Sequence, residues 1–337
     1  MKFSAYMQEW LYGEEGYYRS HIEIGKRGDF FTAVSSSMFF GGCIAKRLMA
    51  TIESGHLSAH CSVVEIGAHK GYLLADIIQF IYTLKPELLE SLEFVIVEPF
   101  SENQKAQRAY FEDSFGAKIT LHHVKDLKSL HCEDAFFVAN EIFDAFACEV
   151  VKEGTMLAYE EGVLTFVPMD EKTRILSQRY NITKGEIATG YEAFAADMFA
   201  AAKRYEFVTF DYGDRFARED FSLRVYKNHH VYPFFALTSF VPDSKEDLLY
   251  FECFGNSDLT YDVNFDYLIK AYEKSGAKLE HYLSQAAALI SFGLSELLEI
   301  LQEKGDEKIY KQEINKVKTL IDPAFMGERF KMVCFRK

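Results

Sequence analysis

The chain has 337 residues, 49% of them hydrophobic, enough for one large α/β domain with cap elements and a sizeable core. Its net charge of −14 argues against broad binding to nucleic acid or anionic membrane and leaves a basic protein partner open. The six cysteines, Cys43, Cys61, Cys132, Cys148, Cys253 and Cys334, form no C-x-x-C pair, so neither a zinc site nor a disulfide framework is expected, and a reducing, cytoplasmic setting is.

Residues 1–10 carry Glu9 where a signal peptide needs an unbroken apolar stretch, so no secretion is expected. The longest apolar run, 286–294, is too short to span a bilayer. Periodicity predicts a short amphipathic helix over 3–12 and a longer one over 35–52, with a loop at 25–30 between them. A strand over 63–66 then breaks at Gly67, and a helix starts after Gly71. A second strand, 94–97, ends in Glu98, and Ser101-x-x-Gln104 is a capping-box start for a helix that Gly116 stops. Strands over 119–122 and 135–139 follow.

From 149 to 167 apolar and polar residues alternate around turns at 153–154 and 160–162, as in an inserted antiparallel ribbon. A helix near 191–203 and a strand over 207–211 resume the βα rhythm, whereas 214–262 has little periodicity. A helix over 265–275, a strand near 278–283 and a final strand over 330–335 complete the chain. The 31 Phe and 20 Tyr read mostly as core, and His122-His123 and His229-His230 have no metal-like spacing.

Three strand ends carry the candidate chemistry. The turn Glu65-Ile66-Gly67-Ala68-His69-Lys70-Gly71 leads into a helix whose free N–H groups and partial positive charge suit an anionic or nucleoside ligand. Glu98, closing the next strand, is the usual kind of partner for a ribose diol. Asn140-Glu141-x-x-Asp144 puts an amide and two carboxylates at the end of a buried strand, where open α/β sheets bind ligands. Together these describe a nucleoside site. A last strand at the carboxyl terminus fits the mixed seven-stranded sheet of a Rossmann-like class I methyltransferase fold better than a dehydrogenase. That fold would carry an N-terminal helical segment at 1–57, core at 58–148, 185–213 and 263–337 with a helical insertion at about 285–325, a β-ribbon inserted at 149–184 and a cap inserted at 214–262.

The residues resemble the MidA family of S-adenosylmethionine-dependent methyltransferases, whose members include a mitochondrial complex I assembly factor that methylates arginine. The resemblance runs nearly end to end: Tyr6-Met7 to Gly16-Tyr17-Tyr18, Gly28-Asp29-Phe30 with Thr32, Glu65 through Gly71, Glu98, Asn140-Glu141 with Asp144-Ala145, Asp211-Tyr212-Gly213, Leu223-Arg224, Asp258-Leu259-Thr260 and Gly327-Glu328. It implies S-adenosylmethionine as cofactor, contacted by Gly28, Asp29, Thr32, Glu65, Gly67, Ala68, Gly71, Glu98 and Asn140. It also implies an arginine acceptor on a protein partner, such as a subunit of respiratory NADH dehydrogenase. Two positions depart from the family. His69 stands where the turn usually has glycine, which narrows the approach to the ligand. Phe146-Ala147 replaces Leu-Pro and removes the stiffness that proline gives the loop.

Transfer of a methyl group from a sulfonium is an in-line displacement in which alignment is worth up to about 7–11 kcal/mol, and it needs no metal. A guanidinium acceptor is protonated at neutral pH, so a carboxylate must orient it and take up its proton. Glu141 is the first candidate for that catalytic role and Asp144 the second, with Asn140 on the cofactor or holding the loop. The competing readings are structural: Asp144 as a helix cap, Asp29 as a turn residue, Glu98 as a solvated acid at a helix start. At the level of function they are a non-catalytic assembly protein that has kept the fold and a nicotinamide-dependent oxidoreductase.

Overall fold

The computed structural model describes residues 1–19, 32–160, 163–218, 220–227, 230–237 and 253–337. The expected loop at 25–30, with Gly28 and Asp29, lies outside these. In chain order the described strands are β1 Ser62–Ile66, β2 Glu93–Val97, β3 Leu121–Val124, β4 Cys132–Asn140, β5 Cys148–Lys152, β6 Thr155–Glu160, β7 Val163–Pro168 and β8 Lys184–Ala188. They continue as β9 Ala202–Asp214, β10 Arg224–Lys227, β11 His230–Pro233, β12 Asp258–Thr260, β13 Val263–Asn264, β14 Lys278–Ser284 and β15 Phe330–Arg336. Backbone contacts divide the chain into one unit of Met1–Phe31, Phe143–Ala193 and Tyr212–Ala271 and a second of Thr32–Ile142, Phe194–Asp211 and Tyr272–Lys337.

The second unit holds the large sheet, in the order β14-β15-β9-β4-β1-β2-β3. β1, β2, β3, β4 and β9 pair in parallel, while β14 and β15 are antiparallel to each other. Tyr205 and Lys337 exchange both backbone hydrogen bonds, the pattern of antiparallel neighbours, so the terminal strand runs against β9. All five residues of β1 are buried and β4 is buried over Asp134–Ala139, as a parallel strand covered on both faces requires. Glu206 in β9 is fully buried and is met by Arg47 Nε at 2.6 Å, Arg336 Nε at 2.8 Å and the Thr51 hydroxyl at 3.0 Å, tying helix Phe39–Glu53, β9 and β15 together.

Several boundaries differ from expectation. The helix expected over 35–52 is two, Ala33–Ser36 and Phe39–Glu53, because Ser37 between them is extended. Ser101 does not cap its helix; it is the first helical residue, and the Phe100 N–H goes to the Glu98 carboxylate at 2.9 Å. β3 starts two residues late because a 3-10 turn, Gly116–Lys118, follows that helix. β9 begins already at Ala202, where pairing with Cys132 overrides the helical pattern that no breaker interrupts.

In the first unit, β7-β6-β5-β8 form an antiparallel sheet, so the ribbon read from alternation gains a fourth strand, and β11-β10-β12 form a smaller one. Helix Phe3–Tyr12 buries Phe3, Tyr6, Met7, Trp10 and Leu11, and the Trp10 indole donates to Ser257 O at 2.8 Å. Among the described residues no helix is long and apolar enough to cross a membrane, and all six cysteines are free thiols.

Candidate active site

Sheet register brings three of the predicted residues side by side in the second unit. Ile66 pairs with Val97 on one side and Ala139 on the other, so Gly67, Glu98 and Asn140 are the next residues on three adjacent parallel strands. At about 4.8 Å per strand, Glu98 and Asn140 stand about 10 Å apart across Gly67.

The turn at the end of β1 is built from left-handed residues. Gly67 has φ +72° and Gly71 φ +81°, and a Cβ at Gly67 would lie 2.7 Å from Ile142 Cγ2. Gly67 is exposed, so its backbone is open to a ligand. His69 adopts φ +47°, which explains why glycine suits this position and why histidine, one of the residues that tolerates it, still folds here. Its carbonyl accepts from Gln107 Nε2 at 2.7 Å. Ala68 is buried, and its carbonyl closes the turn onto the Gly71 N–H at 2.7 Å.

Glu65 serves the helix that follows this turn. Its buried carboxylate accepts the Leu74 N–H at 3.1 Å, pinning the first turn of helix Tyr72–Leu84, and burial pushes its pKa up to about 8. Thr32 is likewise committed: it caps helix Ala33–Ser36 in a reciprocal box with Ser35. Glu98 is 4% exposed rather than solvated. Burial raises its pKa, while the Phe100 N–H, Asn103 and Gln107 favour its ionised form.

At the end of β4, Glu141 is held at φ +54°. Its N–H bonds Phe210 O at 2.9 Å, and its Oε1 accepts from Asn140 Nδ2 at 2.8 Å and more loosely from the Ala33 N–H at 3.4 Å. The Asn140 side-chain oxygen, Oδ1, is buried with no hydrogen-bond partner among the described residues. A buried acceptor left over beside an exposed glycine turn and a buried acid fits a nucleoside bearing an amine and a diol, so the residues present suit S-adenosylmethionine.

Asp144 belongs to the first unit and does not cap a helix. It sits in the 3-10 turn Phe143–Ala145, 5% exposed, and its carbonyl accepts the Tyr261 N–H at 3.2 Å. Burial pushes its carboxyl up to about 6, against the pull of the Tyr212 hydroxyl and of the Arg224 guanidinium, which lies 5.0 Å over the Tyr212 ring. The Phe146-Ala147 departure is compensated by packing: the Phe146 ring stacks on Phe143 at 5.4 Å and meets Tyr191 edge-on at 5.3 Å, filling space that only glycine leaves at Gly190. Sequence reading missed Gln107. Its signal was the stripe 103, 107, 111 on one face of helix Ser101–Phe115, polar at two positions yet facing the core.

Comparison with known proteins agrees with this geometry. Residues 43–283 match the sequence model of the family described as "Putative S-adenosyl-L-methionine-dependent methyltransferase". The chain is 24% identical over 358 residues to the rat protein named protein arginine methyltransferase NDUFAF7, mitochondrial, covering 97% of this chain and 79% of that one. It is 25% identical to the zebrafish protein of the same name, covering 97% and 81%. A COG1565 superfamily member and likely methyl transferase from Burkholderia thailandensis, solved with bound S-adenosyl-homocysteine, has the same fold, with a TM-score of 0.79 at 22% identity over 100% of this chain and 88% of that one. The nicotinamide-dependent alternative is thereby set aside, and the chain belongs to this family of S-adenosyl-L-methionine-dependent methyltransferases.

Proposed function

We propose that this methyltransferase acts on the guanidinium of an arginine in a protein partner, with Glu141 as the carboxylate that receives the acceptor. The observation that carries this reading is Glu141 itself: a non-glycine residue in a left-handed conformation at a strand end, with one carboxylate oxygen already fixed by Asn140. Such strain persists where the surroundings over-determine it, and it clusters at functional sites. The names of the rat and zebrafish relatives support the acceptor class.

In this reading the turn Gly67–Gly71, Glu98 and Asn140 hold the cofactor, Glu98 on the ribose diol. When bound, S-adenosylmethionine supplies a methyl group on a positively charged sulfur. Glu141 orients the planar guanidinium, which a carboxylate can grip through two N–H groups, and takes up the proton that the nitrogen loses as it is alkylated. A respiratory NADH dehydrogenase subunit is the partner that the MidA resemblance suggests.

The test is transfer of radiolabelled methyl to arginine in such a subunit. Glu141→Gln should lower the transfer rate by at least about 100-fold, with S-adenosylmethionine affinity nearly unchanged. Undiminished transfer by the variant would remove Glu141 from this role, and label on lysine or on a small molecule would overturn the acceptor class.

A further inference from the structure

Gln107 is fully buried in helix Ser101–Phe115, yet every polar atom of its side chain is engaged, and each contact leads to the cofactor end of the sheet. Its Nε2 donates to His69 O at 2.7 Å and to Glu98 Oε2 at 3.3 Å. Its Oε1 lies 2.9 Å from His123 Nε2, and Arg108 Nε lies 3.3 Å from His123 Nδ1. An arginine can only donate, so His123 Nδ1 accepts and its proton is on Nε2. That proton goes to Gln107 Oε1, which fixes the amide with its NH2 toward His69 and Glu98. His123 stays neutral in this arrangement, because burial and the neighbouring Arg108 and His122 push its pKa down to about 4. A second link returns along the same helix: Arg108 Nη2 reaches Gln104 Oε1 at 3.4 Å, and Gln104 Nε2 donates to Glu98 O at 2.7 Å.

We propose that Gln107, oriented by His123, is the positioning residue that fixes the carboxylate of Glu98 relative to the left-handed turn at His69, and so sets the affinity for the nucleoside. The proposal rests on Glu98 being the ribose acid. Two parts of the pocket that lie on different strands are spanned by one amide, and an N–H donor at Glu98 Oε2 favours the ionised form that a diol needs as acceptor. The shorter bond of the same amide holds the His69 carbonyl.

The test is calorimetric titration with S-adenosylhomocysteine of the wild type and the Gln107→Met, His123→Leu, His123→Gln and Glu98→Gln variants. Binding is followed from neutral pH down through the carboxylate range, with thermal unfolding as the control for folding. Gln107→Met is expected to weaken binding about tenfold, the scale of one hydrogen bond to a charged group. It should also move the acid limb of binding to higher pH, because burial already raises the Glu98 pKa and the amide's opposing effect is gone. The groups facing that carboxylate are the Phe100 amide, Asn103 and Gln107. His123→Leu should produce the same shift in smaller measure, and His123→Gln, which keeps an N–H donor, should leave the acid limb at its wild-type position. The Gln107→Met effect should largely vanish on a Glu98→Gln background.

A loss of affinity that is equal at all pH values, or one that adds in full to Glu98→Gln, would make Gln107 a packing residue and overturn the proposal. If Gln107→Met fails to fold, the pair of His123 variants decides alone. Unchanged binding by Glu98→Gln would instead remove the ribose reading, and the proposal with it. Weakening by Glu98→Gln but not by Gln107→Met would remove the proposal only.

Discussion

At His69 the backbone pays a local strain that the rest of the turn contains. The residue occupies the left-handed region at φ +47°, and its carbonyl is fastened by a side chain that does not depend on the identity of residue 69. Replacing it by glycine relieves strain in the folded state but adds freedom to the unfolded chain, two effects of about 0.5–1 kcal/mol that oppose each other. His69→Gly should therefore leave stability within about 1 kcal/mol of the wild type, with cofactor affinity equal or higher. His69→Val, β-branched and poorly suited to this region, should cost more than about 1 kcal/mol. Urea denaturation of the two variants checks this, and equal stabilities would contradict the strain assignment. The glycines at 67 and 71 and the acids at 98 and 141 were legible as residues because strand ends leave a local signature. That Glu65 and Thr32 serve helix starts was not, since the same residue types suit both roles and only their hydrogen-bond partners separate them.

Among the elements, helix Glu171–Tyr180 is held by an acid that serves two partners. Asp170 Oδ1 accepts the Thr173 N–H at 2.8 Å, and its carboxylate pairs with Lys2, which together hold its pKa down at about 2. A depressed acid contributes stability that is present above its unfolded pKa and lost as pH falls through the folded one. Asp170→Ala should thus cost about 1 kcal/mol at neutral pH, and the gap between variant and wild type should close between about pH 4, the unfolded value, and the folded value near 2. A gap that persists undiminished below that range would contradict it. The buried Glu206 is the stronger tie: Glu206→Leu strands Arg47 and Arg336, both partly solvated, and should cost about 3 kcal/mol by thermal unfolding. The antiparallel ribbon was readable from its period of two, but β8 was not. Lys184-Gly185-Glu186-Ile187-Ala188 lacks a strand pattern, and its pairing with β5 is a tertiary choice.

For the whole molecule, the order β3-β2-β1-β4-β9-β15-β14 is what a nucleoside site requires. It sets β1 between β2 and β4 with all three carboxyl ends at one edge, and the terminal strand arrives from the opposite direction. The sequence could indicate this because a final apolar strand after a long helical detour has few places to go. A ligand that binds only the folded chain raises its stability by about 2.7 kcal/mol at 100 times its dissociation constant. The central claim, that S-adenosylmethionine is held across Gly67, Glu98 and Asn140, is tested most directly by calorimetric titration of the purified protein with S-adenosylmethionine, S-adenosylhomocysteine and NADH in parallel, repeated on Glu98→Ala. Saturable binding of the first two, absent for NADH and lost in the variant, is the predicted result. Binding that survives Glu98→Ala, or a folded wild type that binds none of the three, would contradict it.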